Sequence, residues 1–531
     1  MSRAPLRVLL VLKHAGYIDV YEPLVQELAE RGHAVHVGYV SPSKAGLAIL
    51  DRLTARPGIT AGPAPYRGVV DGWASVAWLA RAYGDLGRYS DPRFADATAL
   101  RDRMAGKVEG HLRTSAGFDP VTRRVALGRA QALANGTDPA LAERSIQTGR
   151  RLESGVPPSR RVTAYLRGRR PDVLLVSPLI ELASPLLDYL KAARGLGIRT
   201  AICVASWDNL TSKGLLRFVP ERVFVWNETQ RQEAIELHGM PADRVVATGA
   251  ARFDDWFAQR PGTTRTEFAQ KVGLDPARPY LLYLCSSGFV APDEVASVSR
   301  WIESLRATAD ERLRGAGVLV RPHPKRTEPW RDVDMARFGN AVVWPLERRG
   351  LDPDEARAGF YDSVWHSAAV VGVNTSAMLE AAIAGKSVYT LVSPEFAQEG
   401  TIHFHYLLAE NGGFLHVAES EEEHFRQLGD GLAHEAEDAE QTRRFVESFL
   451  RPGGIDRSAT AIYADAVEEL AELPVSDERG TSAAMRAALT PLALASSVWL
   501  SATIGRAALA SRLPGGRRGE PSKAHVGAVR A

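Results

Sequence analysis

The first forty residues set a pattern that most of the chain repeats. Val8-Leu9-Leu10-Val11-Leu12 is an unbroken apolar run of strand length. Residues 22–31 follow with Leu24, Val25, Leu28 and Ala29 at helical spacing, and Gly32 stops them. Residues 34–40 are apolar again. A continuous apolar strand, an amphipathic helix and a second strand predict a β-α-β start. That implies a parallel, doubly wound sheet.

The alternation breaks at about residue 58. Residues 58–160 carry Trp73, Trp78 and several helical stretches but few strand signals, so a helical insertion is expected. Strands are then expected at 173–176, 200–204, 222–225 and 244–247. Before the last of these, Asn227 caps a helix that Gly239 and Pro241 end. Pro261, Gly262 and Pro276 mark 258–276 as a linker. A second α/β unit has strands at 281–284, 318–320, 341–343, 369–373 and 387–391. Helices are expected at 292–310, 354–366, 376–384, 420–431, 438–450 and 457–472. The expected organisation is a Rossmann-like domain at 1–257 and, after the linker, a second at 277–450. Residues 451–476 return a helix to the first domain, and 477–531 form a tail. The fold class is α/β, with two doubly wound domains facing a cleft.

Composition narrows the function classes. A length of 531 residues fits two large domains or about three smaller ones. At 45% hydrophobic and 24% charged residues, the chain is composed like a globular protein rather than a disordered or polytopic membrane protein. Lys+Arg at 65 nearly balance Asp+Glu at 63, so no overall field recruits nucleic acid. Cys203 and Cys285 lie far apart, which argues against a disulfide framework and for the cytoplasm. The first apolar run is too short for a signal peptide. Residues 487–505 lack charge but are rich in Ala and Ser and contain Pro491. Beyond them Arg506, Arg512, Arg517, Arg518, Lys523 and Arg530 face Glu520 alone. Two outcomes are expected for this tail. It lies on an anionic membrane with Trp499 at the interface, or it packs on the protein ahead of a basic end.

In open α/β sheets ligands bind outside the carboxyl ends of strands, so the residues there are the candidates. In the second unit these are Ser286, Ser287 and Gly288, then Arg321, His323 and Lys325, then Asn374, Thr375, Ser376 and Glu380. The last group reads as a capped helix start suited to phosphate, with Glu380 one turn on and able to meet ribose hydroxyls. In the first unit His14, Asp19, Glu181 and Asp208 are candidate general bases. Trp207 and Asn209 beside Asp208 suit a polyol acceptor. Thr248, Gly249 and Arg252 mark a hinge or cleft edge. His403 and His405 alternate as on a strand, but no carboxylate or Cys cluster joins them, so no metal is expected.

Four segments carry a family resemblance. They are Arg31-Gly32-His33, Thr248-Gly249 with Phe253-Asp254, Arg321-Pro322-His323-Pro324, and Asn374-Thr375-Ser376 followed by Glu380 and Gly385. Over about 5–55 and 170–475 the chain resembles GT-B-fold nucleotide-sugar enzymes of bacterial surface and capsular polysaccharide synthesis. Kdo transferases, CDP-glycerol glycerophosphotransferases and UDP-GlcNAc 2-epimerases are the relatives that the motifs bring in. The resemblance implies a glycosyltransferase that takes a nucleotide-sugar co-substrate and no further cofactor. Its acceptor would be a cell-surface glycan or lipid-linked, and its place the cytoplasm or the inner face of the membrane. His323 and Ser376 would meet donor phosphate and Glu380 the ribose. A 2-epimerase-like isomerase and a glycerophosphotransferase are the alternatives.

Overall fold

The computed structural model describes residues 4–68, 71–135, 138–347, 353–396, 401–433, 439–476 and 481–510. The chain divides into two units, Met1–Arg252 with Ala459–Ala531, and Phe253–Ser458.

In the first unit each expected apolar run is a strand, and one strand that was not expected joins them. They are β1 (Arg7–His14), β2 (Ala34–Ser41), β3 (Ile59–Pro63), β4 (Val173–Ser177), β5 (Arg199–Cys203), β6 (Arg222–Val225) and β7 (Val245–Ala247). They form one sheet in the order β3-β2-β1-β4-β5-β6-β7, and every pairing is parallel. Val8 to Leu12 are at most 2% exposed, as a strand covered on both faces requires. The strand order reverses between β1 and β4, and this is where a doubly wound sheet opens a crevice for ligand.

Helices α1 (Ile18–Glu30) and α2 (Lys44–Thr54) complete the opening β-α-β pattern. The stretch expected as a purely helical insertion begins with β3. Gly62 and Pro63 hid this strand, and its place on the sheet edge tolerates them. Helices α3 (Trp73–Gly87), α4 (Thr98–Thr114), α5 (Pro120–Ala134), α6 (Pro139–Gly155) and α7 (Arg160–Arg169) follow. Asp119 and Asp138 cap α5 and α6 ahead of a proline in the first turn.

The insertion is fastened to the sheet by buried ions that composition did not reveal. Arg67 meets Asp188 of α8 (Leu187–Gly195) at 2.6 Å. Arg81 and Lys191 meet Glu153 at 3.0 and 2.9 Å. Asp85, fully buried on α3, pairs with Arg217 and accepts the backbone N–H of Ala183 at 2.9 Å and of Leu215 at 2.7 Å. Arg88 donates to the carbonyls of Leu210 and Gly214, each at 2.8 Å. The insertion thereby holds the loops that follow β4 and β5. A side chain at Gly214 would collide with the Asp85 carboxylate at 2.4 Å, so glycine is required there.

The helix Ala459–Leu470 packs on α1 within the first unit. Arg31 reaches Asp465 at 2.7 Å. His33 accepts the Leu6 N–H at Nδ1, so its Nε2 is the donor to Glu468 at 3.0 Å. The Arg31-Gly32-His33 segment thus fastens this helix.

The C-terminal helix Ala483–Ala510 packs on α3 and α6. Ser497 accepts the Gly72 N–H at 3.0 Å, Ser496 donates to Gly117 and the Trp499 indole donates to Ala116. Of the two expectations for the tail, the packed helix is observed, and Trp499 is engaged by protein. Ala483–Thr503 is nonetheless long and apolar enough to cross a membrane by length and composition, with 22% of it buried. The basic end expected at Arg512 to Arg530 lies outside the described residues.

The second unit holds β8 (Tyr280–Leu284), β9 (Gly317–Arg321), β10 (Ala341–Val343), β11 (Ala369–Gly372), β12 (Val388–Leu391) and β13 (Leu415–Ala418). Their order is β10-β9-β8-β11-β12-β13, all parallel, with the reversal between β8 and β11. The expected linker 258–276 contains the helix Arg265–Val272. Thr264 and Glu267 close it with a reciprocal capping box. Its Phe268 is fully buried and lies against Tyr280 and Trp344. That stretch is therefore part of the second unit rather than a free connection. Cys203 and Cys285 are both buried and unpaired with each other.

Candidate functional site

Each sheet has polar side chains at the point where its strand order reverses. In the second unit β8 runs into Cys285 and Ser286, and β11 into Val373 and Asn374. Ser286 is fully buried, and its hydroxyl lies 3.2 Å from both the backbone N–H and the carbonyl of Asn374. The two loops are thus tied across the reversal. Asn374 is buried and donates its amide to the Thr401 hydroxyl at 3.0 Å. The helix that follows is Ala377–Ile383, with Ser376 at its cap position and no side-chain cap bond. Asn374 is therefore a loop tie rather than the expected cap. Thr375, Ser376 and Glu380 are half-buried, while Met378, Leu379, Ala381 and Ala382 form the covered face.

The Arg321-Pro322-His323-Pro324-Lys325 segment divides. Arg321 ends β9 and its guanidinium turns into the protein, 5.1 Å from the Trp344 ring and 4.7 Å from Phe360. It is 8% exposed and donates to Ser363 at 3.3 Å. The expectation that Arg321 binds phosphate is corrected, because its charge is spent on aromatic faces inside the unit. His323 is half-buried and accepts the Lys325 N–H at 3.2 Å, and Lys325 is exposed. Arg326, not singled out from sequence, donates to Ala291 and Pro292 at 2.9 and 2.8 Å. It passes so close to Gly288 that a Cβ there would lie 2.8 Å from its Nη1. Ser287 accepts the backbone N–H groups of Val290 and Ala291 at its carbonyl.

Sequence reasoning missed Glu294. It is 5% exposed, and both carboxylate oxygens accept the Ser286 N–H, at 2.8 and 3.0 Å. Burial pushes its pKa up to about 7, against the pull of that N–H and of Arg326. Nothing in the Pro292-Asp293-Glu294 string marks it, since two adjacent acids usually stand on a solvated helix start.

In the first unit the reversal is bridged by an ion pair. Lys13, near the end of β1, meets Glu181 in the loop after β4. The Tyr17 hydroxyl donates to the other Glu181 oxygen at 2.5 Å. Burial alone would raise the Glu181 carboxyl, but Lys13 and Tyr17 hold it below its ordinary value. The Tyr17 phenol is raised by burial and by the charges of Glu181 and Asp208. His14 is half-buried, its ring 4.2 Å from that of Tyr17. Asp208 accepts Ser212 at 2.9 Å and Asn209 at 3.2 Å. His14, Glu181 and Asp208 are therefore neighbours of one tyrosine. The sequence named these three but gave no sign of Lys13 and Tyr17 as their partners.

Several expected residues lie elsewhere. Trp207 is 3% exposed and Asn209 1%, and Asn209 accepts the Ala205 N–H. Neither presents a face to an acceptor, so that expectation is corrected. Asp19 is 55% exposed and stands 3.8 Å from Arg252. Thr248 is buried on the Val225 carbonyl, and Gly249 takes the positive φ of +84° that its turn requires. His403 lies in the 3-10 helix Ile402–Leu407 rather than on a strand. Among the described residues no group of three or more His, Cys, Asp or Glu could hold a metal.

No protein-family model matches the chain, and no curated protein does. Solved structures similar to it include a UDP-N-acetylglucosamine 2-epimerase at 14% identity, covering 89% of this chain and 98% of that one, with a TM-score of 0.49. A UDP-GlcNAc 2-epimerase from Neisseria meningitidis, bound to UDP-GlcNAc, has 12% identity, coverages of 87% and 100%, and a TM-score of 0.49. A glycosyltransferase from Rickettsia africae has 10% identity, coverages of 88% and 99%, and a TM-score of 0.48.

The buried Glu294 gives a pH test of the second unit. Its folded pKa, about 7, lies above the ordinary 4.5, so the native state binds the extra proton between these values. Its contribution to stability is full below the lower value and is lost as pH rises through the upper one. Glu294→Gln is expected to remove that dependence. Denaturant midpoints at about pH 5 and pH 8 check it; parallel slopes in the two proteins would return Glu294 to an ordinary carboxylate.

Proposed function

We propose that the chain is a GT-B-type glycosyltransferase that moves a sugar from a nucleotide-activated donor to a cell-surface glycan or lipid-linked acceptor. The observation that carries this is a pair of parallel sheets, each with polar groups gathered at its strand-order reversal, and each with its own chemistry. The second unit has small hydroxyl side chains and backbone N–H groups after β8 and β11, His323 and Lys325 after β9, and Glu380 on the helix after β11, a set that suits a phosphate followed by a ribose. The first unit brings an imidazole, two carboxylates and Lys13, which suits removal of a proton from an acceptor hydroxyl. In the reaction the acceptor oxygen bonds to the anomeric carbon, the bond to donor phosphate breaks, and the acceptor proton passes to the base. In this reading His323 and Lys325 offset the charge on the leaving phosphate.

Calorimetric titration with UDP, CMP, CDP and GDP tests it. One nucleotide is expected to bind, and Glu380→Ala to weaken it by about 1–3 kcal/mol through loss of a charge-assisted bond. Binding of none would sink the reading. Incubating the matching nucleotide sugar without acceptor separates transfer from isomerisation, because only an epimerase alters the sugar alone.

A further inference from the structure

The insertion and the C-terminal helix enclose a cavity of about 400 Å³, away from both strand-order reversals. Its walls come from α3, α4, α5, α6 and that helix, with Leu79, Leu86, Leu112, Ala126, Leu152 and Leu489 among them. Arg129 is the one charged side chain in the lining. The volume falls in the range of about 300–1,000 Å³ typical of ligand sites. An apolar cavity gives water too few hydrogen-bond partners to be held there.

We propose that this cavity takes one hydrocarbon chain of an anionic membrane lipid, whose phosphate rests at the Arg129 rim. Three observations select that occupant. First, Val121, Val125 and Leu492 line the cavity and are still 73%, 55% and 38% exposed, so its mouth is apolar. Second, the C-terminal helix turns Leu494 and Val498 outward at 62% and 70% exposure, and no charge interrupts 487–505. A surface of this kind suits the boundary between headgroups and acyl chains better than water. Third, cations predominate on the two helices that form the mouth. Helix α5 carries Arg123, Arg124 and Arg129, with Asp119 at its cap as the one acid, and the C-terminal helix carries Arg486 and no acid over its described side chains. Cations beside an apolar mouth match an anionic headgroup above its own chain. The site is independent of nucleotide binding by the second unit.

The full-length chain tests this with two probes. Cis-parinaric acid, a fluorescent fatty acid, reports the cavity. Flotation with vesicles of phosphatidylglycerol and phosphatidylcholine, against phosphatidylcholine alone, reports the surface. The wild type is expected to bind the fatty acid saturably and to float with the anionic vesicles preferentially. Ala126→Trp, which fills the cavity, and Val125→Glu, which charges its exposed mouth, should each weaken the fatty acid by at least about tenfold. Val125 is exposed enough that its variant tests the site even if Ala126→Trp unfolds. Arg129→Gln should reduce the preference for anionic vesicles. Failure of the wild type to saturate, equal fatty-acid affinity in both variants, or equal partition onto the two vesicle types would each overturn the proposal.

Discussion

Replacing Asp85 by alanine is expected to destabilise the first unit by about 3–5 kcal/mol, the usual consequence of orphaning a buried charge. Asp85 is fully buried, so the groups it bonds are out of reach of bulk solvent. Its loss leaves the Arg217 guanidinium, itself 3% exposed, without its carboxylate. It also leaves the Ala183 and Leu215 N–H groups without acceptors. These groups belong to the loops that follow β4 and β5, which carry Glu181 and Asp208, so the candidate site should loosen with the fold. Urea denaturation followed by tryptophan fluorescence measures the loss. Adding Arg217→Met should recover part of it, since the second change removes the stranded charge. An Asp85→Ala chain with the wild-type midpoint would show that α3 does not support these loops.

That network also shows where sequence reading stops. Parallel strands buried on both faces announce themselves as apolar runs, and β1, β4, β8 and β9 were legible for that reason. The Asn227 cap was legible because its partner Gln230 is three residues away, accepting and donating locally. Arg67, Arg81, Asp85 and Asp188 were not, because their partners lie up to 132 residues off, as for Asp85 and Arg217, and each alone resembles a surface charge. The same distance hid the Lys13–Glu181 pair, 168 residues apart. Orientation was a separate blind spot. Arg321 ends β9 and Trp207 lies in the loop after β5, where ligands are expected, yet their side chains turn into the protein. Register along the strand decides that for Arg321 and the path of the loop decides it for Trp207, and residue type reveals neither.

The last expected result concerns the base of the proposed transfer. Asp19 is exposed and paired at its edge with Arg252, which leaves it poorly shielded for proton transfer. Glu181 is held below its ordinary value by Lys13 and Tyr17, so it is a weak base and better suited to positioning them. Asp208 already accepts from Ser212 and Asn209. His14 ends β1 beside the Tyr17 ring, and an imidazole is the side chain that most often serves as a general base. His14→Ala should therefore lower kcat by about 10²–10⁴-fold, with nucleotide affinity unchanged. Glu181→Gln should instead change kcat and KM together, because it releases Lys13 and Tyr17 at once. If His14→Ala turns over at the wild-type rate, the proton goes to Asp208, and Asp208→Asn becomes the variant that stops transfer.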